Sequence, residues 1–194
     1  MSAAPGPADL IQIECDQETS KLGVLIAFGG IIMLFVTFLT SFSSMLIKEL
    51  AYIKLDTIIQ IVASVSTTIL IISSIMFNYA YRQWQKNNTA DSLLYLASSA
   101  ILGVLFLIGQ ISLWQMLVND GLTSSGNVLA GMVYLIGGTH AVHLVTGLVI
   151  LGWLWFQVKK RYKVKPVRYQ LIGWFWHFLT ILWCLIFVFF LIIL

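Results

Sequence analysis

Long apolar runs separated by short polar stretches dominate this 194-residue chain. A bilayer core about 30 Å thick is crossed by about 20 apolar helical residues. Five runs reach that length, over residues 22–47, 57–81, 92–118, 128–158 and 169–194. Backbone amides in hydrocarbon must be satisfied within their own segment, so each run predicts one continuous helix. The pattern predicts an all-α fold, a polytopic bundle of five transmembrane helices forming one membrane domain over residues 21–194. Residues 1–20 are acidic and polar and are expected to form a short solvated tail. That tail lacks the basic stretch and short apolar run of a cleavable signal peptide.

Composition agrees with the pattern. Hydrophobic residues make up 59% of the chain and charged residues only 10%, which excludes an ordinary soluble domain. The two cysteines, Cys15 in the tail and Cys184 in the fifth run, lie in different environments and offer no disulfide framework.

Basic residues set the expected orientation. With five alternating helices, the N-terminus and the connections after helices 2 and 4 share one face. That face carries Lys21, Arg82, Lys86, Lys159, Lys160, Arg161, Lys163, Lys165 and Arg168, against Lys48 and Lys54 on the other. The N-terminus is therefore expected in the cytoplasm and the C-terminus in the periplasm. Trp153, Trp155, Trp174 and Trp176 fall at the helix ends assigned to the cytoplasmic leaflet, where an aromatic belt is expected. The run KKRYKVKPVR (159–168) sits at this boundary and fits topology setting and anionic headgroups rather than a nucleic acid.

Periodicity then assigns faces. Gly29 and Gly30 of helix 1 read as a close-packing site. Helix 2 carries a stripe of Ala63, Ser66, Thr67, Ser73 and Ser74 that predicts a protein-facing side. Helix 3 aligns Ser99, Gly103, Phe106, Gln110 and Leu113, with the Gln110 amide expected to hydrogen-bond across a helix interface. The turn-rich loop NDGLTSSGN (119–127) predicts an antiparallel hairpin of helices 3 and 4.

No Asp, Glu, Lys or Arg lies within the five runs, which removes the residues that ion transport, proton relays and voltage sensing rely on. The candidate chemistry at depth is His140, His143 and His177. His140 and His143 share a helix face with Gly137, Leu144 and Gly147. Helix 5 offers a matching stripe of Gly173, His177, Thr180 and Cys184, and the two stripes are expected to face each other. One possibility is a haem held by two axial imidazoles. His143 and His177 differ by about 10 Å in depth at 1.5 Å per residue, which disfavours it. The other is that each neutral imidazole is hydrogen-bonded within the bundle or to a lipid headgroup. No Walker loop, GxGxxG, CxxC, HExxH or carboxylate pair appears, so nothing supports hydrolysis, phosphoryl transfer or dinucleotide binding.

Two stretches carry a family resemblance. Gly138-Thr139-His140-Ala141-Val142-His143-Leu144-Val145-Thr146-Gly147 is similar to G-x-H-G-L-H-V-x-x-G, and Trp174-Phe175-Trp176-His177-Phe178 to W-x-W-H-F. With weaker echoes in KLGVLIAF, SSIMFNYA and LGVLFLIGQISLW, the chain resembles subunit III of the haem-copper terminal oxidases, in its five-helix form. The resemblance implies a non-catalytic accessory subunit of a cytochrome c or quinol oxidase in the cell's inner membrane. Such a subunit lies beside subunit I and other subunits, which hold the haem and copper, carries no redox cofactor itself, and binds structural phospholipids. It implies structural or lipid-binding roles for His140, His143, His177, Gln110, Trp174, Trp176 and Arg168. Longer members form a lipid-filled cleft of which this chain matches only the larger arm. Carboxylates that the family often carries are replaced by Gly30, Leu113 and Thr180, which leaves a neutral scaffold. Two other readings are an accessory subunit of a nitric oxide reductase and a small membrane cytochrome b carrying one haem.

Overall fold

The computed structural model describes residues 7–49, 57–119, 128–160 and 165–193. They form α1 (Pro7–Glu49), α2 (Thr57–Gln85), α3 (Thr89–Asn119), α4 (Val128–Lys159) and α5 (Pro166–Ile193), each long and apolar enough to cross a membrane. The loop tip over 120–127 and Arg161 and Lys163 of the basic run lie outside the described residues.

α1 starts well before the apolar run. At about 1.5 Å per residue its 43 residues extend roughly 65 Å, twice the thickness of a hydrocarbon core. A helix can continue into water once its charged side chains are solvated, and Lys21 Nζ donates to Glu18 Oε1 at 2.8 Å where the helix leaves its apolar stretch. Pro7 fits a first turn because its missing N–H has no acceptor to lose there.

The α2–α3 connection is encoded locally. Asn87 takes φ 60°, a left-handed conformation that asparagine tolerates, and ends α2. Asn88 then caps α3: its Oδ1 accepts from the Asp91 amide at 3.4 Å, and its Nδ2 donates to Asp91 Oδ2 at 2.6 Å. Pro166 opens α5.

α2, α3, α4 and α5 form a ring in which each helix packs against two others, while α1 lies outside the ring against α4 and α5. Two aromatic repeats of seven residues hold this arrangement, since that spacing returns nearly to the same helix face. On α1 the repeat is Phe28, Phe35 and Phe42. Phe28 stacks on Phe178 at 4.3 Å, Phe35 meets His140 and His143, and Phe42 meets Phe190 edge-on at 5.5 Å. On α5 the repeat is Tyr169, Trp176, Trp183 and Phe190, which runs down the inside of the ring.

Trp176 fills the middle of the ring. It is fully buried, and small residues make its space: a Cβ on Gly103 would lie 2.9 Å from its ring and one on Gly147 3.1 Å. This corrects its placement in the aromatic belt. An exposed Trp at a helix end and a buried one look alike in composition, and here the glycines opposite draw the ring inward. Trp153 and Trp174 do remain substantially exposed. Gly29 and Gly30 also depart from expectation, because nothing lies within 4 Å of a Cβ built on either. The seam of α1 runs through its phenylalanines, which leaves those glycines turned away from the bundle.

Candidate functional site

The hydroxyl stripe of α2 faces protein, with Ser66, Thr67 and Ser73 buried. Ser73 and Ser99 clamp α2 to α3 reciprocally, each hydroxyl donating to the other residue's carbonyl, at 2.8 and 2.9 Å. The same stripe receives the polar ends of the α5 column. Trp176 Nε1 donates to Ser73 Oγ at 3.2 Å and Trp183 Nε1 to Thr67 Oγ1 at 3.1 Å, while the Tyr169 hydroxyl lies 3.5 Å from Ser92 Oγ on α3. A buried indole needs such a partner, and here the neighbouring helix supplies it.

His177 belongs to this α2–α5 seam. Its Nε2 lies 3.1 Å from Asn78 Oδ1, an acceptor, so Nε2 carries the proton and donates. Nδ1 is then the acceptor for the Ser74 hydroxyl at 2.5 Å. Ser74 and Asn78 are four apart and so share one face of α2. Gly173, one turn earlier, lets Phe77 of α2 approach so closely that a Cβ there would lie 2.6 Å from the ring. The stripe of Gly173, His177, Thr180 and Cys184 thus meets α2, not the histidines of α4 as the spacing had predicted. Periodicity identified the face but not the helix opposite. Beyond His177 the seam widens into a groove of about 400 Å³ lined by Ser74, Thr180 and Cys184 among aliphatic side chains.

The two histidines of α4 behave differently. His143 donates from Nδ1 to the Thr139 carbonyl of its own helix at 2.7 Å, beside Phe35. His140 is fully buried within an aromatic cage: Trp183 at 4.9 Å, Phe106 at 6.2 Å and Phe35 at 6.3 Å. Neither of its ring nitrogens has a hydrogen-bond partner among the described residues. Both nitrogens of His177 are engaged on α2, whereas those of His140 are not engaged by any described residue. Among the described residues no group of three or more His, Cys, Asp or Glu is placed to hold a metal ion.

Gln110 departs from expectation. It is buried, but its Nε2 has no partner among the described residues. The level of α2 facing it carries Ser66, whose hydroxyl turns back to the Val62 carbonyl of its own helix. Leu113 lies one turn away on the wall of a cavity, Thr180 donates to the Trp176 carbonyl at 3.1 Å, and Gly30 meets nothing within 4 Å. These three positions share no common site. At the opposite end, Arg168 lies over the Trp153 ring at 5.6 Å and Lys159 over Trp155 at 4.6 Å, pairing basic and aromatic side chains near the α4–α5 connection.

Sequence reasoning missed Asn78 and Phe35, and it placed Ser99 on the inward face of α3 without naming Ser73 as its partner. Asn78 was detectable as the only strongly polar side chain one turn beyond Ser74. Phe35 carries only its seven-residue spacing from Phe28 and Phe42, which does not separate it from ordinary packing.

Comparison with known proteins places these features. The family model described as cytochrome c oxidase subunit III matches residues 16–193. A cytochrome bo(3) ubiquinol oxidase subunit 3 from Buchnera aphidicola subsp. Schizaphis graminum is 26% identical over 170 residues, covering 84% of this chain and 85% of that one. A quinol oxidase subunit 3 from Bacillus subtilis is 23% identical over 181 residues, covering 90% and 89%. A cytochrome c oxidase subunit 3 from Corynebacterium diphtheriae is 25% identical over 129 residues, covering 65% and 62%.

Proposed function

Because this chain belongs to the cytochrome c oxidase subunit III family, we propose that it serves as a non-catalytic accessory subunit that stabilises the catalytic subunit of its oxidase and holds phospholipid. It is a multi-pass protein of the inner membrane and a subunit of a haem-copper oxidase complex. The single observation that carries the finer reading is His177. Both of its ring nitrogens are bonded to α2, so the histidine that the family motif supplies acts as a fastener between helices.

The rest of the scaffold supports the same role. The histidines are spread over separate environments, the core is filled by aromatic rings, and the runs hold no carboxylate. Such a body offers rigidity and apolar surface rather than redox or proton chemistry. The α2–α5 groove beside His177 suits an acyl chain, with the basic end of the bundle at headgroup level. The main partner is subunit I, and the basic connections set the N-terminus in the cytoplasm.

The test is co-purification. An affinity tag on this chain is expected to bring down a haem-copper catalytic subunit, and His177→Ala is expected to lower the fraction retained through detergent washing. The chain purified alone is expected to show no Soret band. A haem-loaded isolated chain, or a tagged chain that brings down no oxidase subunit, would overturn the proposal.

A further inference from the structure

The cavity beyond Trp183 has no part in the assembly role. It measures about 100 Å³ and lies between α2, α3, α4 and α5, at the end of the bundle away from the α4–α5 connection. Aromatic side chains build much of its wall, with Trp114, Trp183 and Phe190 among them, and the exposed Gln60 and Leu191 stand at its mouth. Gln110 is nine residues from the end of α3, about 14 Å at 1.5 Å per residue, so the inner wall lies at membrane depth, while Gln60 and Leu191 at the mouth sit within one turn of the ends of α2 and α5, at the membrane interface.

Gln110 lines this cavity, is 4% exposed, and has an Nε2 with no acceptor among the described residues. An amide donor left without a partner in hydrocarbon is costly, so a wall that retains one is suited to an acceptor brought by something else. The terminal torsion of glutamine is broad and turns readily, which allows the amide to bring its N–H to the cavity. Water is a poor match, because a buried water needs two to four polar partners and the wall of the cavity is almost wholly carbon. Size narrows the class further. A cavity of about 150 Å³ accepts benzene, so this one takes a short piece of a chain or the edge of a ring.

We propose that this cavity binds an apolar, membrane-borne molecule that presents a carbonyl oxygen to the Gln110 amide. Two sources share that chemistry, the ester of an acyl lipid and the carbonyl of a quinone. The site stands apart from the assembly role, since its occupant touches none of the His177 seam.

The experiment uses the co-purified complex in nanodiscs of ether-linked phosphatidylcholine, which contributes no ester carbonyl. Methyl decanoate and decyl-benzoquinone, each labelled with ¹³C at the carbonyl, are titrated separately and the labelled stretch is read by difference infrared spectroscopy. A saturable, red-shifted band is expected for one probe, which identifies the source, with affinity about tenfold weaker in Gln110→Leu. Ala63→Leu fills the cavity from α2 while keeping Gln110, and is expected to abolish the band. No saturable band with either probe, or a band unchanged in Gln110→Leu, overturns the proposal. If Gln110→Leu fails to assemble, Ala63→Leu decides, and a band that survives it is equally fatal. Loss of binding with the wild-type complex intact leaves the assembly role untouched, whereas failure of that role shows earlier, as absent co-purification.

Discussion

The two halves of the ring treat buried polarity differently. Toward the α4–α5 connection, Tyr169 and Trp176 find hydroxyls, Ser73 and Ser99 clamp each other, and His177 bonds through both nitrogens. Toward the other end, the buried side-chain nitrogens that lack a partner among the described residues belong to Gln110 and His140. The difference lies in α2. Its Ser73 and Ser74 reach other helices, whereas Ser66 turns back onto its own helix and the inner positions beyond it are Ile59 and Ala63. One half is thus fastened by several cross-helix bonds, while the other keeps the bond from Trp183 to Thr67 and is otherwise filled largely by shape, which teaches that the same residue types can serve as bolts or as padding according to the helix opposite.

The contrast can be broken first at Trp176. Trp176→Ala removes the ring that four helices surround and is expected to cost about 3 kcal/mol or more, because the glycines opposite cannot refill the space. Thermal denaturation of the co-purified complex checks it, and an unchanged midpoint would show that the ring is not central. Adding volume at the same place comes next. Gly103→Ala puts a Cβ 2.9 Å from Trp176 and 3.0 Å from Leu148, and is expected to cost roughly 1–3 kcal/mol, read as lost chain in the purified complex. Gly138→Ala, where nothing lies within 4 Å, is the control and should be silent.

The fastening bonds are worth less one by one. Hydrogen bonds between membrane helices average about 0.6 kcal/mol and reach about 1.7 kcal/mol. His177→Ala removes two of them and is expected to cost about 1 kcal/mol, with Ser74→Ala somewhat less. A double-mutant cycle between these positions should show coupling, and strictly additive losses would mean that the contact contributes nothing.

Much of this organisation was legible in the residues. Apolar run length found the five described helices, since hydrocarbon leaves the backbone no alternative, and the seven-residue stripes of α2 and α3 pointed inward as expected. Less legible was which helix meets which. A period gives the direction of a face within one helix, but the ring order that sets His177 against α2 depends on how all the helices pack together. Trp176 illustrates the same limit, since only its spacing from Tyr169 and Trp183, together with Gly103 and Gly147, separates a core ring from a belt ring. For Gln110, nothing local to α3 indicated that the facing hydroxyl of Ser66 would be engaged elsewhere.

The central claim is that the family's histidines are fasteners only where another helix answers them. Replacing each with phenylalanine in the same complex tests it directly, with the thermal midpoint as readout. His177→Phe is expected to lower the midpoint by removing the bonds to Ser74 and Asn78, and His140→Phe to leave it unchanged or raise it, because an unpartnered imidazole among Phe35, Phe106 and Trp183 gives way to another ring. A midpoint lowered as much by His140→Phe as by His177→Phe would contradict the account.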